Sequence, residues 1–145
     1  MFLLFRNKFF GEFSREYFVP FRSISSVTMS GLESLADVDI DSKGKFKYIL
    51  IEVKDTKSNE RKHIVRGYAR CGYHADILGE VESKAPKGLS LNCVGGGRIL
   101  HEPENKKLKV YGYSQGFGQA DHKISVQILQ KKYPDYNITM SNEGY

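Results

Sequence analysis

The sequence predicts an α+β fold, a single domain built on a mixed β-sheet of about six strands flanked by two α-helices. Three observations predict it. Strand and helix signals alternate from Asp37 onward, which is the pattern of a sheet covered by helices. The run Tyr48-Ile-Leu-Ile51, continued by Val53, is apolar on both faces, as a central strand is when layers pack on either side of it. The chain has 145 residues, 40% of them hydrophobic and 27% charged. That is enough for one core and too little for two enzymatic domains.

In chain order, residues 1–30 stand apart as an N-terminal extension, because seven of the nine phenylalanines fall between Phe2 and Phe21. With Arg6, Lys8, Arg15 and Arg22 and a Ser/Thr-rich end, the segment has features of a mitochondrial transit peptide. Glu12 and Glu16 count against that, and an unstructured extension with Met29 as a second start is the alternative. Residues 31–145 are then the folded domain. Lys45 to Lys54 reads as the buried central strand and His63 to Tyr68 as a second strand. A helix is expected from about His74, since Ile77, Leu78, Val81 and Ala85 form one stripe. Asp76 lies in its first turn, and Pro86 and Gly88 follow its end. Ser90 to Val94, Gly95-Gly-Gly97 and Arg98 to Glu102 read as a strand, a glycine turn and a returning strand. Leu108 to Tyr113 is a further strand. Asp121 is placed to cap a helix carrying Ile124, Ile128 and Leu129, with Lys131 and Lys132 near its negative end and Pro134 beyond. Tyr136 to Met140 is a last short strand.

A formal net charge of +5 favours partners that carry negative charge without saying which. Two cysteines, Cys71 and Cys93, are too few for a disulfide framework and read as free thiols of a reducing compartment. No run reaches the roughly 18 apolar residues that would cross a bilayer, so no membrane partner is expected. A basic run and an RNA-recognition signature are both missing, so nucleic acid is not expected either.

Five features could carry chemistry. Ser114-Gln-Gly-Phe-Gly118 lies between a predicted strand and a predicted helix, where backbone N–H groups and a positive helix end make an anion cradle. His74 would sit in the first turn of a helix, whose dipole disfavours imidazolium and keeps a lone pair free near neutral pH. Lys47 shares a strand face with Ile49, Ile51 and Val53 and could meet a phosphate. Arg66 and Arg98 carry the forked guanidinium that suits phosphate oxygens. Each of these alone also has a plainer reading as a loop or a surface residue. His63, His101 and His122 have no short metal-ligand spacing to His74 or to the cysteines, so no metal site and no cofactor are expected. A cysteine phosphatase needs five residues between its thiolate and its arginine, in a loop that leads into a helix. Only four separate Cys93 from Arg98, and a strand follows.

Several segments in one order together resemble the small phosphohistidine phosphatases of the Janus/Ocnus family. They are Asp37-Val-Asp-Ile-Asp41, Phe46-Lys-Tyr48, Ile64-Val-Arg-Gly-Tyr68, Tyr73-His-Ala-Asp-Ile77, Gly95-Gly-Gly-Arg-Ile99, Val110-Tyr-Gly-Tyr-Ser114 and Tyr133-Pro-Asp-Tyr136. The resemblance implies metal-independent hydrolysis of the N–P bond of phosphohistidine in proteins. It matches His74 to the catalytic histidine, acting as general base or nucleophile, and Lys47 to the phosphate-contacting lysine. Ser114, Gln115 and Gly116 match the amide cradle, and Arg66 and Arg98 match arginines with a substrate-positioning or structural role. It further implies phosphohistidine-containing proteins as partners, a monomer, and a cytoplasmic location, or a mitochondrial one if residues 1–30 act as a transit segment. The alternative is a catalytically weak phosphoprotein-binding module of the same family. The loop departs from the family's Met, Ala, Tyr and Pro at Gln115, Gly116, Phe117 and Gln119, which retains the backbone donors but loses a tyrosine hydroxyl.

Overall fold

The structure, a computed structural model, describes residues 31–144. The expected extension over residues 1–30 lies outside them. Six strands form one mixed sheet: β1 (Val38–Ile40), β2 (Gly44–Asp55), β3 (Arg61–Gly67), β4 (Leu89–Glu102), β5 (Lys107–Tyr111) and β6 (Asn137–Met140). Their order is β1-β3-β2-β4-β5-β6. The two outer pairs, β1 with β3 and β5 with β6, are parallel, and the inner pairs are antiparallel. A single turn of helix, α1 (Gly31–Ser34), precedes the sheet, and the two longer helices are α2 (His74–Lys84) and α3 (His122–Lys132).

Strand β2 is the axis. Tyr48, Ile49, Leu50, Ile51 and Val53 are all fully buried, as the two-faced apolar run predicts. Because side chains alternate across a strand, β2 feeds two cores. Ile49, Ile51 and Val53 pack with Ile77 and Val81 of α2, whereas Phe46, Tyr48 and Leu50 pack with Leu129 of α3. One helix therefore covers each face, and each fully buried aliphatic side chain contributes about 1.5–3 kcal/mol. Both helix starts follow the sequence signals. Asp121 Oδ1 accepts the Lys123 amide at 3.1 Å, and Asp76 Oδ2 accepts the Tyr73 amide at 3.1 Å. Among the described residues no helix is long and apolar enough to cross a membrane.

One sequence expectation is overturned. Gly95-Gly-Gly97 makes no turn: β4 runs unbroken for 14 residues through it, with one bulge where Leu50 faces Gly95 and Ile51 faces Cys93. The glycines are there because other groups press against the strand. A Cβ on Gly95 would lie 2.6 Å from the Ala120 backbone, one on Gly96 2.7 Å from Tyr48 O, and one on Gly97 2.3 Å from Tyr111 O. The sequence signals reach six strands by dividing β4 in two and passing over β1, which is three residues long.

Candidate active site

Gly96 is the floor of the site. A Cβ there would lie 2.9 Å from His74 Cδ2 and 3.2 Å from Ser114 Cβ, so the bare strand lets an imidazole lie directly on the sheet. His74, the first residue of α2, is only 6% exposed, and its Nε2 is 2.9 Å from Gly97 O. A carbonyl can only accept, so Nε2 carries the hydrogen and the neutral ring keeps its lone pair on Nδ1. Nδ1 has no hydrogen-bond partner among the described residues. Burial holds the ring below its ordinary pKa, and the charges of Lys47 and Arg98 push it the same way, against the Gly97 hydrogen bond. His74 is thus a neutral base at pH 7.

Around it is a cavity of about 530 Å³. Gly72 to Ala75 form one wall, Ser114 to Phe117 the other, and Lys47 stands between them. The second wall is a loop folded back on itself. Ser114 and Gly118 exchange two backbone hydrogen bonds of 3.0 and 2.8 Å, the Ser114 hydroxyl accepts the Phe117 amide at 3.1 Å, and Gly118 O accepts the Gly96 amide at 3.0 Å. These bonds pin the loop to β4 and leave the amides of Gln115 and Gly116 without an acceptor among the described residues. The first-turn amides of His74 and Ala75 have no intrahelical acceptor either. Four amides and one ammonium can therefore meet an oxyanion beside Nδ1. The positive helix end in this cradle belongs to α2, not to the helix that follows the loop as the sequence suggested. α3 begins only after the loop has returned along β4, and its first turn is capped by Asp121.

The sequence-predicted residues divide between two places. His74, Lys47, Ser114, Gln115 and Gly116 line one cavity. Arg98 faces Lys47 across the β2–β4 ladder, on the same sheet face. Arg66 is elsewhere. It is 5% exposed, its guanidinium donates to Val65 O at 3.0 Å and Ala36 O at 2.8 Å, and it lines a separate cavity of about 220 Å³ with Tyr68 and Glu80. Glu80 lies six residues along α2 from His74, an axial rise of about 9 Å, so Arg66 ties β3 to the segment before β1.

None of the other three histidines lines this cavity. His63 faces Glu52 across the β2–β3 ladder, on the sheet face opposite Lys47. His122 is buried on the α3 face, where its Nε2 donates to Gly112 O at 2.9 Å and its Nδ1 accepts the Tyr48 hydroxyl at 2.7 Å. His101 is held by Asp41 O at 2.9 Å and packed among Tyr133 and Tyr136. Both cysteines are free thiols. Cys71 is pushed up to about 11 by burial and by Glu80, and burial also raises Cys93, whose side chain packs in the α2 core outside the cavity. Cys93→Ser is therefore expected to keep most of the catalytic rate. A folded Cys93→Ser protein with its rate abolished would return the thiol to the mechanism.

Tyr73, Ala75 and Phe117 were not singled out as site residues in the sequence. Tyr73 is 74% exposed and Phe117 half-buried, and together they give the cavity apolar walls suited to a flat ring. The helix start at His74 was the available signal, since it places the backbone of Tyr73 and Ala75 beside the imidazole.

A mixed sheet with one helix on each face carries here an imidazole beside a cradle of amides and one ammonium, an arrangement that can hold an oxyanion next to a neutral base. Residues 32–137 match the profile of the Janus/Ocnus family, and the chain belongs to that family. It is 48% identical over 120 residues to the 14 kDa phosphohistidine phosphatase of Sus scrofa, covering 79% of this chain and 95% of that one. It is 46% identical over 125 residues to the Homo sapiens protein of the same name, covering 82% and 100%. The sex-regulated protein janus-A of Drosophila melanogaster is 49% identical over 125 residues, covering 86% and 92%.

Proposed function

We propose that this chain is a protein phosphohistidine phosphatase, a hydrolase of the P–N bond, in which His74 is the base and needs no metal. The observation that carries the reading is the open Nδ1 of His74 in one cavity with Lys47 and the amides of Ala75, Gln115 and Gly116. The names of the porcine and human relatives supply the substrate class. The amides and Lys47 hold the phosphoryl oxygens as charge develops on them. His74 Nδ1 takes a proton from water as the water oxygen bonds to phosphorus, the P–N bond breaks to leave phosphate and the substrate imidazole, which gains a proton from solvent, and His74 then releases its proton to solvent. Were Nδ1 itself the nucleophile, it would bond to phosphorus as the P–N bond to the substrate breaks, with water then hydrolysing the phosphorylated His74.

The cavity's polar groups are the His74 imidazole, the Lys47 ammonium, the Tyr73 and Ser114 hydroxyls, the Gln115 carboxamide and backbone amides, with no carboxylate or thiolate among its lining residues. Phosphate release from a chemically phosphorylated histidine protein should accordingly proceed at the same rate in EDTA as in untreated buffer. Loss of turnover in EDTA that returns with zinc or magnesium would overturn the metal-free reading, and no turnover in either buffer would leave the binding-module alternative standing.

A further inference from the structure

Helix α2 covers only part of its face of the sheet. It packs over Ile49 to Val53 of β2, and its N-terminus stops at the cavity that Lys47 lines. Beyond that point the same face continues across the start of β2, the end of β4, and β5 and β6. The ladder registers fix which side chains stand on it. Lys45 faces Leu100 and Lys47 faces Arg98. Tyr111 faces Arg98, Lys109 faces Leu100, and Lys107 faces Glu102. Thr139 and Asn137 extend the last two rows. Their neighbours of opposite parity, Phe46, Ile99, Leu108 and Val110, are buried against α3, which confirms the side on which the lysines lie.

This open face spans four strands, about 14 Å at roughly 4.8 Å per strand spacing, and is not a solvated mixture of charges. Lys45, Lys107 and Lys109 are exposed and make no ion pair among the described residues. Two acids at this end of the molecule are engaged by other cations, Glu104 by Lys43 at 3.2 Å and Asp135 by Lys106 at 2.8 Å, and exposed Glu143 lies at the Tyr111 edge, next to Gly144. Only Glu102 opposes the lysines on the face itself. A shallow groove of about 210 Å³ runs between Leu100, Glu102, Lys107, Lys109 and Thr139. The face is continuous with the cavity through Lys47 and Arg98.

We propose that this basic sheet face is the docking surface for the substrate protein, and that it selects phosphohistidines flanked by acidic residues. The inference rests on the phosphatase reading. A segment entering the cavity with its phosphorylated side chain must continue over an adjoining surface, and on this side it meets the exposed ammonium groups of Lys45, Lys107, which faces Glu102, and Lys109, which lies over the Tyr111 ring at 5.3 Å, an array that the carboxylates of an acidic segment complement. Because these charges are exposed, the attraction is screened over about 8 Å at physiological salt and acts mainly on encounter.

The test uses the full chain and two substrates, free phosphohistidine and a peptide phosphorylated on a histidine between glutamates. Lys107→Glu/Lys109→Glu should raise KM for the peptide tenfold or more, leave its kcat within about twofold, and leave free phosphohistidine hydrolysis unchanged. Lys45→Gln/Lys109→Gln, a milder pair, should shift peptide KM in the same direction if the first variant folds poorly. Equal losses on both substrates, or no change on the peptide, would overturn the docking surface while leaving the phosphatase reading intact. Failure of the wild type on free phosphohistidine and on the peptide alike would instead strike the phosphatase reading. Direct titration of the unphosphorylated peptide then decides the surface, with binding lost in Lys107→Glu/Lys109→Glu supporting it. RNA or anionic vesicles bound through the same lysines in preference to the acidic peptide would overturn the proposal.

Discussion

Gly97→Ala should damage both the fold and the site. A methyl group at this position would lie 2.3 Å from Tyr111 O and 2.9 Å from His122 Cε1, one a backbone atom of the neighbouring strand and the other held by two hydrogen bonds. Neither can swing aside. Overpacking a core costs about 1–3 kcal/mol and occasionally more, and with both neighbours fixed the upper end applies, a fall in Tm of roughly 10 °C. Gly97 O is also the acceptor that fixes the tautomer of His74, so what remains folded should turn over slowly. Gly116→Ala is the internal control. A Cβ there meets nothing within 4 Å, and a surface change of that kind stays within about 0.5 kcal/mol. Thermal unfolding followed by circular dichroism checks both. A Gly97→Ala protein that melts with the wild type would mean that β4 and β5 separate easily here, and the close-packed floor of the site would be wrong.

The glycine triplet also shows where the sequence stopped being readable. Three glycines between two strand-like segments have the local signature of a turn, and nothing within ten residues says otherwise. The reason for them is non-local, since Tyr48, Tyr111 and the Ala120–His122 segment approach from three other parts of the chain. Arg66 was opaque for the same reason. A guanidinium suits phosphate wherever it is, and only the fold shows that its donors are spent on Val65 O and Ala36 O. What was legible was local or periodic. The two-faced run at Tyr48–Val53 defined the central strand, and the stripe through Ile77 and Val81 with Asp76 in the first turn placed His74 at the start of α2. Lys47 was legible through strand parity alone, because a residue in step with Ile49 and Ile51 must emerge on the face that α2 covers. β1 escaped because three residues are too short for any period to show.

His74→Ala should abolish hydrolysis while leaving the protein folded. The ring lies on a glycine and is held by one hydrogen bond to Gly97 O, so its loss removes no buried partner but the carbonyl. Loss of a general base costs about 10²- to 10⁴-fold, and more if Nδ1 is the nucleophile. Lys47→Ala removes one cation while the loop amides remain, so it should act chiefly on KM. The wild type should also show an acid limb. Burial and the charges of Lys47 and Arg98 lower the pKa of His74, so the active neutral form persists below the ordinary value of about 6.5, and the rate falls only as pH drops further. The most direct measurement follows the N–P resonance of a phosphohistidine protein by ³¹P NMR at pH 7 with wild type and with His74→Ala confirmed as folded. The wild type should convert it to inorganic phosphate, and His74→Ala should leave a trace at the spontaneous rate. Conversion by folded His74→Ala within a few-fold of the wild type would remove His74 from the chemistry.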